Sequence, residues 1–419
     1  MVFGVRIAGV LFSFALNVLI ARRFGAQEAG LYFLGLNIIT ILALFSRLGL
    51  ENSILRFTAR SLGENDLESL RQDHIVGIVL CASFAIFCGT GVYFFSGTIA
   101  ENILGVPELG PTLRILGIAI IPFSLTLYQA ESFKGLGRVL IATLLQNVAA
   151  SGLMVLLLIG LGLRISSVEH LAWVYLVVLS TLFAASLLLW GHPLSLVAGR
   201  NFLLRSRRLI DHGFPLMIIM LLAFGMSKAS SFFLARWGQP ADVSLFEIAQ
   251  RCATVPSFFL MSVNTVVAPR FASLYNRGKT AELANLVRTS TVVIILVSVP
   301  VLLVIVVFAT KFLALFGPEF PAAKTVLYIL AAGQIVNSAT GSVGVLLMMT
   351  GHGKGMKGLI LISATVNIVL NVVLIQMWAI NGAALATTGS LVLMNLSFVA
   401  LAWHKLGILT IPFVKNVRG

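Results

Sequence analysis

Read along the chain, the 419 residues fall into long apolar runs parted by short polar breaks. About 20 mainly apolar residues cross the hydrocarbon core of a bilayer as a helix. By that measure the pattern predicts twelve spans, near 2–21, 30–51, 74–95, 112–131, 139–162, 171–190, 214–236, 244–268, 289–310, 323–349, 355–377 and 381–402. The largest polar intervals are 52–73, 191–213 and 269–288, too short for a separate soluble domain. The first run lacks the small-residue cleavage site of a removable signal and reads as the first span.

The polar breaks repeat. Arg23-Phe24-Gly25 opens a stretch that ends at Arg56-Phe57-Thr58-Ala59, and Arg236-Trp237-Gly238 opens one that ends at Arg270-Phe271-Ala272-Ser273. Thr112-Leu113-Arg114 returns as Thr325-Val326-Leu327, and Gly135-Leu136-Gly137-Arg138 as Gly351-His352-Gly353-Lys354. The offsets lie between 213 and 216 residues, about half the chain. A duplicated membrane unit is expected: 1–195 and 214–419 as six-helix bundles, with 196–213 as a basic cytoplasmic linker lying on the membrane surface. An even helix number per half makes the halves parallel, related by a pseudo-twofold along the membrane normal. The fold class is therefore all-α integral membrane.

Composition strengthens this reading. The chain is 58% hydrophobic and 11% charged, with a mean hydropathy of +1.01. A soluble domain carries roughly 25% charged residues, so lipid must solvate much of this surface. The net charge of +14 is spread between spans, where Lys and Arg orient a membrane chain, so nucleic acid is not an expected partner and anionic lipids are. With a cytoplasmic N-terminus, eighteen Lys and Arg fall on the inner side and seven on the outer, which selects N-in and C-in. Cys81, Cys88 and Cys252 stand in apolar runs and read as packed side chains.

An ionisable side chain near mid-bilayer costs at least about 2.5–3.5 kcal/mol, so each such residue needs a reason. Arg6, near the start of a span, reads as snorkelling to the interface. Lys228 lies mid-span with no acid within one turn, so it should face a wet cavity or pair across helices. Glu247 and Arg251 are four apart in the favourable acid-first order. Arg47 and Glu51 are four apart in the reverse order, and Glu131 stands beside Lys134. The repeat places Arg47 near Leu260 and Glu247 near Phe33 or Leu34, so each charge belongs to one half only. These groups read as a lumen site for an anionic substrate or coupling ion, or as helix-end pairs. Glu247, Glu51 and Glu131 are the coupling or gating candidates.

Amides such as Gln146, Asn147, Asn367 and Asn371 either line the pathway or join helices. Asn367 and Asn371 share one helix face. Pro256 follows Arg251 by little more than a turn, so a kink there would aim that Arg inward. Gly353-Lys354-Gly355-Met356-Lys357-Gly358 fits GxGxxG, but no strand precedes it. No metal-ligand spacing and no nucleophile–base set is present, so neither metal nor enzyme activity is expected.

Ala21-Arg22-Arg23-Phe24-Gly25-Ala26-Gln27-Glu28-Ala29-Gly30-Leu31-Tyr32 resembles the opening of the Wzx-type oligosaccharide flippases, within the multidrug/oligosaccharidyl-lipid/polysaccharide (MOP) exporters. Gly213-Phe214-Pro215-Leu216 is similar to that family's start of the seventh helix, and Pro269-Arg270-Phe271-Ala272-Ser273-Leu274-Tyr275 to its end of the eighth. Gly351 to Asn371, followed by Asn381-Gly382-Ala383-Ala384-Leu385-Ala386-Thr387, resembles its pattern over the tenth to twelfth helices. Two features depart from it. Many relatives carry a polar, often acidic, residue where Ser230 and Ser231 stand, and relatives usually have a longer N-terminal lead.

The resemblance implies a MATE-like pair of six-helix bundles that alternate between inward- and outward-facing states in a bacterial or archaeal plasma membrane. It implies movement of a polyprenyl-diphosphate-linked oligosaccharide from inner to outer leaflet, for assembly of O-antigen or exopolysaccharide. Lys228, Arg251 and Arg47 would then form a cationic lumen facing the diphosphate. No cofactor is expected; a coupling ion, H+ or Na+, fits the carboxylates. A polysaccharide polymerase and glycosyltransferases are the expected protein partners. Three alternatives stay open: a cation-coupled multidrug exporter of the same fold, a peptidoglycan-precursor flippase, and a non-transporting scaffold of a polysaccharide assembly complex.

Overall fold

The computed structural model describes residues 2–160, 165–190 and 202–411. Among them the only regular elements are helices: α1 (Val2–Ser46), α2 (Leu50–Gly63), α3 (Leu67–Thr98), α4 (Leu109–Gly135), α5 (Val139–Asn147), α6 (Ala149–Gly160), α7 (Val168–Trp190), α8 (Phe202–Trp237), α9 (Pro240–Thr254), α10 (Ser257–Asn276), α11 (Thr280–Val307), α12 (Ala309–Ala314), α13 (Lys324–Thr340), α14 (Val343–Met349) and α15 (Gly353–Leu406). Over the described residues the predicted spans coincide with these helices, except that the second crosses the turn between α1 and α2; residues 161–162 of the fifth lie outside the described residues.

Seven of the described helices are long and apolar enough to cross a membrane, or ten if each bent pair counts as one crossing. The bent pairs are α5–α6 (48°), α9–α10 (46°) and the Phe320–Thr340 helix with α14 (42°). Two of the seven are interrupted: α1 at Gly25 and α15 at Trp378 and Ala379. The apolar helix of α1 runs 43 residues and that of α15 runs 54. Each is long enough for two crossings of about 20 residues.

The repeat survives in the element boundaries. α2 ends at Gly63 and α10 at Asn276; α3 begins at Leu67 and α11 at Thr280. Both pairs are 213 residues apart, the offset of the sequence landmarks. α5 begins at Val139 and α15 at Gly353, 214 residues later.

The chain forms two compact units, Met1–Gly225 with Gln239–Ala241, and Met226–Gly238 with Asp242–Gly419. In the first, Leu48 and Gly49 adopt positive φ (52° and 72°) and turn α1 into α2. A Cβ on Gly213 would lie 2.7 Å from the Gly49 carbonyl carbon, so two glycines let α8 pass directly against this turn. Leu48, Ile54, Phe57, Tyr128, Leu209 and Met217 close the core around it.

Residues 196–201 of the expected linker lie outside the described residues. The remainder, 202–213, is not a separate surface helix but the first turns of α8. It is clamped: Arg205 Nη1 donates to Asp73 Oδ1 at 2.6 Å, Ser53 Oγ to the Leu209 carbonyl at 2.8 Å, and the Arg208 guanidinium lies 4.2 Å from the centre of the Phe57 ring. The basic residues that suggested a membrane-surface segment thus partly serve packing within the first unit. α8 passes from the first unit to the second at Gly225–Met226.

In the second unit, Val267, Phe271, Leu283, Val287, Leu346 and Phe398 belong to the core. Gly341 (φ 62°) ends α13, and a Cβ there would meet Thr291 Cβ at 2.9 Å. Both the left-handed backbone and the close neighbour demand glycine at this break.

Candidate functional site

α8 and α9 are joined by the short turn at Gly238 and Gln239. Lys228 stands ten residues before Gly238, and Glu247 nine after it. A helical hairpin that folds back at Gly238 therefore brings the two side chains to one level. Lys228 Nζ donates to both carboxylate oxygens of Glu247, at 2.9 and 2.7 Å. Ser231, less than one turn beyond Lys228, donates from Oγ to Glu247 Oε1 at 2.6 Å. Arg251, one turn along α9, places Nη2 at 3.9 Å from Oε2. The Glu247 side chain is 1% exposed, against 20% for Lys228 and 34% for Arg251. A carboxylate so buried is tolerated because cations and a hydroxyl compensate it. The cluster holds two cations and one anion, a net charge of +1.

The expected Glu247–Arg251 pair is therefore present at its longest useful distance, and the cross-helix Lys228 is the stronger partner. Lys228 pairs across helices, one of the two outcomes expected of a mid-span cation. Glu247 of α9 thus places a carboxylate against Ser231 of α8. Pro256 does kink the chain, by 46° between α9 and α10. Its carbonyl accepts from the Phe259 N–H at 3.0 Å and from Ser298 Oγ at 3.3 Å, which ties the break to α11.

Ser230 faces the other way. Its Oγ donates to Asn371 Oδ1 at 2.7 Å and lies 2.8 Å from Thr387 Oγ1. Asn371 Nδ2 donates to the Asn367 carbonyl and to Asn367 Oδ1, and Asn367 Nδ2 donates to Ser390 Oγ at 2.7 Å. Asn367 and Asn371 act together, as their shared face suggested. Both are buried, however, and they tie α8 to both limbs of α15 rather than line an open surface. In an apolar surrounding a satisfied amide chain is helix glue. Adjacent serines thus join the charged cluster to this network.

The other candidates lie in the first unit. Arg47 Nε pairs with Glu51 across the Leu48–Gly49 turn, and both side chains are largely buried. Arg47 Nη1 is buried without a hydrogen-bond partner among the described residues. Glu131 Oε1 accepts from Lys134 Nζ and from Gln146 Nε2, each at 2.7 Å, so it ties α4 to α5. Asn147 Nδ2 bonds back to the Thr143 carbonyl of its own helix. Its backbone carbonyl faces Gly9 at the α5–α6 bend, which accounts for a close helix approach rather than a ligand contact.

Sequence reading missed the Asp73–Arg205 clamp and the Ser230 hub. The symmetry of Lys228 and Glu247 about Gly238 was a usable signal for the central pair. The GxGxxG stretch is the helical start of α15. The cysteines are buried and free. Among the described residues no group of three or more His, Cys, Asp or Glu could hold a metal ion.

The chain is similar to known proteins over most of its length. Residues 1–275 match the family described as polysaccharide biosynthesis protein, and residues 215–373 match the one described as MatE. A probable low-salt glycan biosynthesis flippase of Haloferax volcanii is 24% identical over 299 residues, covering 66% of this chain and 63% of its own length. The chain thus aligns with less than two thirds of that relative. Among solved structures, an inward-facing multidrug resistance MATE family transporter of the MOP superfamily superposes with a TM-score of 0.80 at 15% identity, over 95% of this chain and 94% of that one. The lipid II flippase MurJ in an inward closed conformation superposes with 0.77 at 16% identity, over 96% and 86%. Family and fold are those of transporters and flippases, not of catalytic enzymes. The chain is a multi-pass membrane protein with the fold of the MOP-superfamily exporters, and it belongs to the polysaccharide biosynthesis protein family.

Proposed function

We propose that this chain moves a lipid-linked oligosaccharide from the inner to the outer leaflet for surface polysaccharide assembly, by alternating access. The observation that carries the reading is the cluster of Lys228, Glu247 and Arg251, which keeps a net positive charge inside the α8–α9 hairpin. Such a cargo has three parts with different needs: sugars that must avoid hydrocarbon, a polyprenyl tail that can stay in it, and an anionic phosphate link. Lys228 and Arg251, both partly exposed, bind the phosphate. The likeness to a glycan biosynthesis flippase supports the cargo class. Twelve crossings, with both termini cytoplasmic, complete the reading. A polymerase and glycosyltransferases upstream and downstream of the flip are its partners.

A cation-coupled drug exporter would want a carboxylate open to cargo. Glu247 is instead closed off under Lys228 and Ser231, which favours the glycan reading. The test is Lys228→Ala with Arg251→Ala in cells that depend on this chain. Polymer export should fall roughly tenfold or more at equal protein level, as for loss of a principal binding contact. Undiminished export would refute the proposal.

A further inference from the structure

Two pairs of amides in the second unit differ in what they leave over. Asn367 and Asn371 are buried, and both ends of each amide are bonded within the protein. Gln334 and Asn337, one turn apart on α13, are only half-buried. Gln334 Oε1 accepts from Ser257 Oγ at 3.0 Å and from Asn337 Nδ2 at 3.2 Å. Gln334 Nε2 and Asn337 Oδ1 have no partner among the described residues, so one amide donor and one amide acceptor flank the bond that the two side chains share. Turning both amide groups over exchanges the two ends and still leaves one donor and one acceptor. Lipid cannot satisfy either, so the surface that carries them meets water or a polar cargo.

Packing does not demand amides here. The positions that the 213-residue offset assigns to Ser257, Gln334 and Asn337 in the first unit are Leu44, Ile121 and Ser124. Leu44 and Ile121 pack on the core of that unit, and Ser124 Oγ lies 2.7 Å from Ser46 Oγ. The same elements therefore meet there without an amide. In the second unit the pair is also held in place. Ser257 follows directly on the Pro256 break, whose carbonyl Ser298 ties to α11, and so presents its hydroxyl to α13 from a fixed bend.

We propose, resting on the flippase reading above, that Ser257, Gln334 and Asn337 build a sugar-binding subsite on the second unit. Its ligand is a pair of adjacent hydroxyls on one ring of the glycan. Such a pair presents two oxygens side by side, and each can donate or accept. One accepts from the free amide N–H, and the other donates to the free amide oxygen. Ser257 is a positioning residue that acts through Gln334. The three side chains are uncharged, so the subsite reads the sugar and not the phosphate. A site built to bond hydroxyls rejects a ligand that lacks them.

The experiment uses the full-length protein in nanodiscs of zwitterionic lipid. Binding is measured for polyprenyl-phospho-maltopentaose, in which every ring carries adjacent hydroxyls, and for polyprenyl methyl phosphate, which has the same tail and single charge but no sugar. The wild type should bind the glycan lipid about tenfold more tightly. Gln334→Met with Asn337→Leu keeps the side-chain shapes and removes both free ends. It should bring the ratio of the two affinities close to one and leave the sugar-free lipid unchanged, a split that a merely structural role would not produce. Ser257→Ala keeps both amides but frees Gln334, and should lower the ratio about threefold, which gives a second reading if the double variant folds poorly. A wild type that binds the two lipids equally, or a ratio that neither variant moves, overturns the subsite and keeps the phosphate-binding reading. Equal weakening of both lipids makes these residues structural and overturns the subsite. A wild type that binds neither lipid overturns both.

Discussion

The two units share an element plan but not their chemistry. In the first, the buried ion pair Arg47–Glu51 bridges the turn between α1 and α2, four residues apart on one stretch of chain. In the second, Lys228 and Glu247 are 19 residues apart and meet across a hairpin, with Arg251 and Ser231 beside them. The positions that the 213-residue offset assigns to Lys228, Glu247 and Arg251 in the first unit are Ala15, Leu34 and Ile38. Duplication therefore accounts for the helices and their breaks, while the charges were placed in each half separately. A neutral local pair can serve structure alone. In a cluster built between two helices, with Lys228 and Arg251 both partly exposed, the cations can meet a ligand.

The difference can be broken by mutation. The largest effect is expected at Lys228→Met, which leaves Glu247 buried beside a distant Arg251. Removing one partner of a buried pair costs about 3–5 kcal/mol. The double variant Lys228→Met with Glu247→Met should recover most of that stability in a thermal melt yet remain inactive in export. Recovered export would make the cluster structural, like its counterpart in the first unit.

Arg47→Met should destabilise by about 3 kcal/mol, at the lower end of that range because the pair is local. Arg47→Met with Glu51→Met should recover stability and keep more export than the Lys228 double variant. Equal loss in both would erase the contrast between the units. Asn371→Ala removes one partner each from Ser230 and Asn367, which keep Thr387 and Ser390, and should cost about 1–3 kcal/mol, with export falling only as protein level falls. Glu131→Gln should change stability by under about 1 kcal/mol, since the pair with Lys134 is partly solvated and Gln146 can still bond.

The smallest effect concerns Asp66, the N-cap of α3 outside the spans. The Ser69 backbone N–H bonded to its carboxylate holds it below the ordinary Asp range. A depressed carboxylate stabilises the fold above its unfolded value near 3.8 and loses that contribution as pH falls through the folded one. Asp66→Asn should flatten the acid side of the pH–stability curve slightly, read by the melting temperature below pH 5.

The spans were legible because lipid leaves apolar length as a direct signal, and the repeat because Arg–aromatic–Gly and Arg-Phe mark the ends of corresponding segments. The bends at Val148 and Gly341 were not, since they arise from close helix approach at Gly9 and Thr291, far away in sequence. The 46° bend at Pro256 was legible because proline removes a helix bond by itself. Of the site, Lys228, Glu247 and Arg251 stood out by the cost of charge in a span. Their partners did not: Ser231 is an unremarkable serine, and the roles of Asn367 and Asn371 as glue depend on Ser230 and Ser390 across helices. Arg205 looked like one more basic residue of a linker until Asp73 was seen opposite it.

The central claim is that the excess cation of the α8–α9 hairpin receives the cargo's phosphate during transport. Its most direct test is the rate at which purified protein in lipid vesicles exposes an inner-leaflet, fluorescent polyprenyl-phosphate-linked oligosaccharide to an external quencher. Wild-type protein should move the lipid, and the Lys228→Ala, Arg251→Ala double variant, reconstituted in equal folded amount, should not exceed protein-free vesicles. Equal rates for the two proteins would contradict the account.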